Sequence, residues 1–597
     1  MEYSNDYILK GMIIMYLERM TIKNFRCIKD ATIYFNEGLN ILIGENNSGK
    51  TTILDALRLA FSYGKQWRDI YVSADDDFYI DKNDLGAKEN DIELHLYFKI
   101  QRPEEAGIFI DLLAINDKGE QELQLHFRYF IQEKNGVKRV RCRVWGGENE
   151  GQLINPEVLE LIYYIYLGAL RDAVQQLRPV RGNRLGELYI KLITDEEEQD
   201  ALAQRVRSVL NNDTDWRNLI ESGKVKVNEH LNELSIKGKE QTVEIDFLQW
   251  EFRKIVESLR IQMPVFSKSV LENEDDQRYF ELSQNGLGYN NLIYIATVLG
   301  DLKRKKELEK EAYIALLIEE PEAHLHPQLQ NIFFNYLNKL NKSGFQIFVT
   351  SHSPTITAKA DLDSLIVLQE QEDEIFALSI KKTNLDDSNK KYLRKFLDVT
   401  KSQLFFSNGV ILVEGISEAL LLPVFSKIMG DEYDIEKNGI EVVNLNGVAF
   451  EHFAKLFNAE TPASRLNCRC AILTDDDRTG DEEISSRAEK AKALENGLLK
   501  VELAEKTFEY ELFKENKDIL LEIFKEMHPK AAERIKEGTS ISEHASNFLE
   551  KVEANKAKSE LSHRLAIRLE SDVNARNEFK VPEYIKRAIK WVVKGDH

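Results

Sequence analysis

The sequence predicts an α/β protein of two layered units, each built on buried parallel strands, with a helical segment inserted into the first. Three observations carry this. An apolar run at 39–43 leads through a glycine loop at 44–49 into a helical pattern from Thr51. The apolar residues 315–318 deliver Glu319 and Glu320 at a strand end. Gly409–Val413 does the same for Glu414. Short continuous apolar runs bounded by turns mark strands covered on both faces, and such strands alternate with helices in α/β layers.

Each element follows in order. A chain of 597 residues exceeds what one core organises, so several domains are expected. Strands are expected at 16–25, 31–35 and 38–43, a helix at 51–61 and a strand at 91–100, from alternating or continuous apolar patterns. Residues 121–145 read as a hairpin closed near Asn135-Gly136. From 157 to 262 the pattern becomes long, charged and amphipathic, with helices such as 195–210 and 248–259. Such a segment packs on itself or on a second protomer. Strand–loop–helix alternation returns over 280–380, a polar helical connector spans 381–403, and alternation resumes over 405–480. The tail 481–597 reads as mainly helical and highly charged.

Composition is that of an ordinary globular protein, 43% hydrophobic and 30% charged with 11 prolines. No apolar run approaches the roughly 18 residues a membrane helix needs, and the first 15 residues lack a basic region followed by a cleavage site. A cytoplasmic protein with no membrane partner is expected. Four cysteines fit a reducing compartment. Cys468-x-Cys470 has no second pair at zinc spacing and reads as two strand residues. A net charge of −21 argues against a surface that is basic throughout. It leaves local basic stretches at 138–143 and 586–590 as candidate nucleic-acid contacts.

Gly44-Glu45-Asn46-Asn47-Ser48-Gly49-Lys50-Thr51 satisfies G-x-x-x-x-G-K-[ST] between a strand and a helix. Asn46, Asn47, Ser48, Gly49, Lys50, Thr51 and Thr52 are therefore expected to bind ATP. The loop turns backbone N–H groups and a helix N-terminus toward phosphate. Lys50 would neutralise the β- and γ-phosphates, and the Thr51 hydroxyl would reach Mg²⁺. Glu319 would hold that ion through water, and Glu320 would orient or deprotonate the attacking water. Aspartate is commoner at the first position, so Glu319 lengthens the reach by one methylene. Two further parts are a glycine turn with Ser283 and Gly286, and His352 after the buried run 346–350.

A second acidic constellation follows. Glu414 and Glu418 flank Gly415 at the start of a helix, and about 60 residues on, Asp475, Asp476 and Asp477 end another apolar run. Asp475 and Asp477 fall on one side at strand spacing. Carboxylates gathered at adjacent strand ends repel each other, which makes Mg²⁺ (or Mn²⁺) the expected companion.

The order of glycine loop, Ser283–Gly286 turn, acidic strand and His352 resembles an ABC-type ATPase head of the RecF/SMC-like kind. Heads of this kind hold ATP between two protomers, Ser283 and Gly286 gripping the γ-phosphate bound to the other chain, and His352 sensing it. That implies a homodimer or higher oligomer. Glu-Gly followed by Asp-x-Asp resembles a Toprim domain. With the second acid of LVEGISEALLLP, it is similar to the OLD (overcoming lysogenization defect) family of nucleases.

The resemblance implies an ABC ATPase at 16–180 and 263–385, a helical dimerisation insertion at 181–262, and a Toprim domain with a helical C-terminal part at 400–597. It implies a DNA endonuclease using two ions, with Glu414, Glu418 and Asp475 around one and Asp475, Asp477, Thr507 and Glu509 around the other. Lys558 would stabilise the pentacovalent phosphate, with Lys556 close enough to leave the register open. Anti-phage defence is implied too, alone, with a helicase-like protein, or with a reverse transcriptase and its RNA–DNA product. The alternative is a RecF-like repair or recombination ATPase whose Toprim domain only binds DNA or docks.

Overall fold

The longest apolar runs become fully buried strands. A computed structural model describes residues 15–595 apart from 66–67, 69, 82–89, 102, 117, 153, 170–172, 194, 237–240, 248–249, 266–276, 308–311, 324, 341–343, 372–373, 448, 477–483 and 536–538. The strands β1 (Met15–Phe25), β2 (Ile28–Tyr34) and β3 (Leu39–Gly44) lead into the helix Lys50–Phe61. Then come β4 (Ile92–Ile100), β5 (Leu113–Ile115), β6 (Gln121–Lys134), β7 (Val137–Gly146) and β8 (Ile162–Leu167). Beyond a helical segment lie β9 (Gln262–Pro264), β10 (Tyr279–Glu281), β11 (Tyr313–Glu319), β12 (Gln346–Ser351), β13 (Leu365–Gln371) and β14 (Glu374–Ser379). The C-terminal part carries β15 (Gly409–Val413), β16 (Ile440–Asn444), β17 (Arg469–Asp475) and β18 (Leu499–Ala504).

The first sheet is antiparallel, in the order β2-β1-β4-β6-β5 with β7 paired to β6. Alternation decides its faces: Ile92, Leu94, Leu96 and Phe98 of β4 are buried while the residues between them look outward. The second sheet runs β14-β13-β3-β12-β11-β8, parallel except for the β13–β14 hairpin. Every residue of β3 and β12 is buried. The helix Lys50–Phe61 shares one core with both sheets through Ile53, Leu54, Leu57 and Phe61. The buried Gln346 side chain joins the layers, accepting from the Leu17 amide (3.0 Å) and the Tyr313 hydroxyl (2.8 Å).

Three elements differ from the sequence reading. Ile162–Leu167, taken as part of the helical stretch, is an edge strand beside β11. Its IYYIYL composition, β-branched and aromatic, favours a pleated surface over a helix. The helix expected at 248–259 shortens to Phe252–Glu257. Leu499–Ala504, inside the supposedly helical tail, is the fourth strand of the C-terminal sheet. Its charges at Lys500 and at buried Glu502, which pairs with Arg587 (2.7 Å), break the continuous apolar run that marks a central strand.

The helical segment holds Glu196–Asn212, capped by Asp195 on the Glu197 amide (2.9 Å), and Thr214–Leu234, capped by Asp213. The second of these buries none of its residues and exposes Trp216, Leu219, Val225 and Leu234.

The C-terminal sheet is wholly parallel, in the order β16-β15-β17-β18. One face packs under the helices Ile416–Met429, Lys558–Ser571 and Glu583–Lys594. Its other face, through Val410, Leu412, Cys470 and Leu499, merges with Leu378 and Ile380 from the first unit. A hydrogen bond from the Asn467 amide to the Gln369 side chain (2.9 Å) crosses the same boundary.

A shared core predicts shared melting. Leu412→Ala, at a fully buried position, should cost about 2–5 kcal/mol and lower the melting of both units together in calorimetry. A shift confined to one of two separate transitions would contradict the continuity of the core.

Candidate nucleotide and metal sites

The C-terminal edge of the second sheet brings three strand ends together. β3 ends at Gly44, where φ is +150° and a Cβ would lie 2.4 Å from the Leu368 carbonyl of β13, so only glycine fits. The loop turns again at Asn47 (φ 64°) and Gly49 (φ 90°). Asn46 and Asn47 form its exposed rim, while Ser48 and Lys50 are buried. Lys50 Nζ donates to the carbonyls of Gly44 (3.0 Å) and Glu45 and to Ser48 Oγ (3.3 Å). The ammonium thus satisfies the loop's own oxygens. Burial pushes it down to about 8, against the pull of Glu320, Glu322 and Glu45. The Thr52 side chain turns away and lies 3.3 Å from Cys27 Sγ.

The Thr51 hydroxyl donates to Glu319 Oε1 (2.6 Å), and the Tyr166 phenol of β8 donates to Oε2 (2.5 Å). The extra methylene of Glu319 lets one carboxylate reach both. Arg58 stacks over the Tyr166 ring at 3.7 Å, while burial and then Glu319 raise the phenol's pKa. Glu320 adopts a left-handed conformation (φ 42°), uncommon outside glycine, with its amide held by Thr350 O (3.1 Å). Its carboxylate lies 3.4 Å from His352 Nε2. Burial and the Lys50 charge lower the imidazole's pKa, more than Glu320 restores it.

Sequence reasoning passed over Glu322, whose Oε1 accepts from the Ser351 hydroxyl (2.8 Å) and the His352 amide (2.7 Å). It ties the β11 turn to the β12 turn; a third acid after the strand was the available signal. Tyr166 was also missed, because its strand was. Ser283 and Gly286 stand elsewhere, exposed on a turn with a Glu281–Gln284 capping box. Ser283 borders a cavity of about 260 Å³ with Arg178 and Arg260, separate from the chain's own phosphate loop.

The second acidic group sits at the matching edge of the C-terminal sheet. Glu414 follows β15, and its Oε1 accepts from the Thr474 hydroxyl, the Asp475 amide (3.2 Å) and Arg487. Glu418, buried on the first turn of Ile416–Met429, is pushed up to about 7 by burial, with Glu509 and Glu414 adding to the push and Lys558 opposing it. Glu509 is buried at 5% exposure on the first turn of Phe508–Glu515, and Lys558 Nζ lies 3.3 Å from it. Burial opposes the Lys558 charge, but Glu509 and Glu553 outweigh it and raise its pKa. Lys556 is exposed in a left-handed turn (φ 52°), so Lys558 is the lysine beside the acids. The Tyr584 phenol, raised first by burial, also feels Asp475, Glu418, Glu511 and Glu509, and the Asp475 amide donates to Glu414 at the same sheet edge (3.2 Å).

Glu414, Glu418, Asp475, Glu509 and Lys558 are therefore brought together. The Thr507 hydroxyl accepts from the Tyr510 amide (3.3 Å) and caps the helix that carries Glu509. Asp476 is fully buried and accepts from the Ser485 amide (2.8 Å), which makes it structural. Asp477 lies outside the described residues. Among the described residues no three potential ligands close on one point at metal distance. The donor set still suits a cation: two buried carboxylates, one with a raised pKa, face a third held by a guanidinium. Of the basic stretches, Arg143 pairs with Glu150 (3.2 Å) and Lys586 with Glu583 (2.6 Å).

The AAA ATPase domain family matches residues 15–141 and 161–357, more than half of the chain. The overcoming lysogenization defect protein-like TOPRIM domain matches residues 405–477. Endonuclease GajA of Bacillus cereus (strain HuB5-5) is 24% identical over 482 residues, 68% of this chain and 67% of that protein. The OLD nuclease of Thermus scotoductus is 26% identical over 450 residues, covering 72% of this chain and 78% of its own length. The Old nuclease of Escherichia phage P2 is 23% identical over 497 residues, covering 77% and 78%. Among the described residues no helix is long and apolar enough to cross a membrane.

Two measurements test these sites. Lys50→Ala should lower ATP affinity at least about tenfold, or about 1.4 kcal/mol, in a titration with labelled nucleotide, with the fold intact by circular dichroism. The Glu418 carboxyl has a higher pKa folded than unfolded. Its contribution to stability is thus complete below about pH 4.5 and is lost as pH rises through about 7. Glu418→Gln should stabilise metal-free protein at pH 8 by at most about 3 kcal/mol, read as a higher melting temperature, and leave stability unchanged at pH 4. Equal stability of the two proteins at pH 8 would show that Glu418 is not strained by burial.

Proposed function

We propose that this chain, which belongs to the AAA ATPase domain family and carries an overcoming-lysogenization-defect-like TOPRIM domain, is a metal-dependent DNA endonuclease governed by an ATP-binding head. The observation that carries the reading is the meeting of Glu414, Glu418, Asp475 and Glu509 with Lys558 at one sheet edge. The names of the three relatives, each a nuclease, support it.

Glu414, Glu418, Asp475 and Glu509 would hold the divalent ions, Mg²⁺ or Mn²⁺, with Asp477 as a further ligand. Bound there, such ions supply charge neutralisation at a phosphodiester and activation of water. Lys558, kept protonated by Glu509, adds a positive charge for the phosphate that does not depend on metal. Burial raises the Glu418 pKa to about 7, so a bound cation would favour its charged form as a ligand.

In the head, Lys50 would exchange the Gly44 and Glu45 carbonyls for the β- and γ-phosphates. Thr51 and Glu319 would take Mg²⁺, with Tyr166 keeping the longer carboxylate in place. Glu320 and His352, 3.4 Å apart, would position and deprotonate the hydrolytic water. Ser283 and Gly286 are exposed on a turn away from their own loop, which suits a grip on nucleotide in a second protomer. The apolar residues exposed on Thr214–Leu234 suit a homodimer contact in the helical insertion. Defence against phage is the biological role we assign, following the family resemblance.

Supercoiled plasmid with Mg²⁺ or Mn²⁺ should be nicked or cut by the wild type. Asp475→Ala and Glu414→Gln should lose more than about 100-fold, beyond the 10–100-fold typical of outer-shell partners. Equal cleavage by all three would leave an ATPase with a docking domain. Light scattering should give at least twice the 69.1 kDa chain mass, and a monomer would remove the dimer.

A further inference from the structure

Among the described residues, Arg487 is a strong cation at the second site to which the proposed reaction assigns no task. It lies on the short helix Ser486–Lys492. That helix is anchored without it. Ser485 caps it by accepting from the Ala488 amide (3.2 Å), and the Ser485 amide is itself held by Asp476 (2.8 Å). Arg487 stands at the second helical position, where the macrodipole disfavours a positive charge, so its place does not serve the helix. Its guanidinium instead crosses to β15 and donates to Glu414 Oε1, lying 3.3 Å from Thr474 Oγ1 as well.

Glu414 Oε1 accordingly takes three donors, from Thr474, Asp475 and Arg487. The hydroxyl and the amide orient the carboxylate and are compatible with a cation on its remaining lone pairs. The guanidinium is itself a cation on that carboxylate, and it competes with any ion that needs it. The Arg487 side chain is 36% exposed and has room to swing into solvent, while Glu414 is only 18% exposed and needs a cation beside it, so the guanidinium can leave only as an ion arrives. A freed guanidinium beside such ions has one good partner in a nuclease, the phosphodiester, whose geometry it matches with paired N–H donors.

We propose that Arg487 holds the place of a divalent ion on Glu414, yields that carboxylate when the ion arrives, and then binds the DNA phosphate brought to the site. The proposal deepens the nuclease reading and rests on Glu414 being a metal ligand there. Arg487 is thus a positioning residue in the metal-free protein and a substrate contact once DNA is bound. No bond to carbon or phosphorus changes in this exchange; one ion pair replaces another.

The test uses the full-length chain without nucleotide, comparing wild type, Arg487→Ala, Arg487→Gln and Glu414→Gln. Mn²⁺ binding is followed by the paramagnetic resonance of free ion. Duplex DNA binding is followed by fluorescence anisotropy in Ca²⁺. Removing the guanidinium should tighten Mn²⁺ binding several-fold in both Arg487 variants and weaken DNA binding several-fold. Arg487→Gln guards against a folding defect peculiar to alanine, and melting curves accompany each variant. Mn²⁺ affinity that is unchanged or weaker in a folded Arg487 variant would overturn the exchange and leave Arg487 a plain structural contact. Tighter Mn²⁺ with unchanged DNA affinity would overturn the phosphate step. If Glu414→Gln binds Mn²⁺ as the wild type does, the metal reading beneath the proposal fails, and the proposal with it.

Discussion

Carboxylates crowded at the C-terminal edges of parallel sheets have to be given donors or cations, and much of this structure answers that demand. Two like charges 4 Å apart repel by about 4 kcal/mol at an effective dielectric of about 20. In the head, Glu319 is bridged by the hydroxyls of Thr51 and Tyr166, and Glu322 by Ser351 and the His352 amide. In the C-terminal domain, Glu414 is held by Thr474, Asp475 and Arg487, Glu509 faces Lys558, and Glu418 answers by raising its pKa. Both sites use the same device: a fully buried strand, a threonine hydroxyl on the acid at a strand end, and a basic side chain standing near. A nucleotide with a divalent ion suits the first arrangement, and divalent ions suit the second.

The two edges are mechanically close. Gly44 packs against the Leu368 carbonyl of β13, and the next residue, Gln369, accepts from the Asn467 amide. Two residues beyond Asn467 begins β17, which ends in Asp475. A cavity of about 290 Å³ lies along the same line, between Glu45, Asn46 and Ser48 of the phosphate loop and Phe405–Asn408, Asn467 and Cys468. The loop that holds phosphate therefore shares a wall with the domain that holds the second acidic group.

The phosphate loop, the Glu319–Glu320 strand, His352 and the Glu414–Asp475 pair were legible in sequence because central parallel strands appear as unbroken apolar runs followed by turns. Edge strands β8 and β18 were not, since half-exposed strands mix charge or aromatic residues with buried ones and lie beside helical patterns. The choice between Lys556 and Lys558 needed the turn before Lys558–Ser571, which leaves Lys556 outside. That Thr507 caps the helix carrying Glu509 was not legible either, since spacing alone does not show which amide a hydroxyl near two acids will accept from. Arg487 gave no signal at all: its partner lies 73 positions earlier, and a single arginine on a charged helix is ordinary in sequence.

The most direct measurement is anomalous diffraction from a crystal of the full chain soaked in Mn²⁺. The expected result is a peak bounded by Glu414, Glu418, Asp475 and Glu509, with Arg487 turned off Glu414. Full Mn²⁺ occupancy at Thr51 and Glu319 with no peak at the second edge would contradict a metal-dependent nuclease and leave the head as the only ion-binding chemistry of the chain.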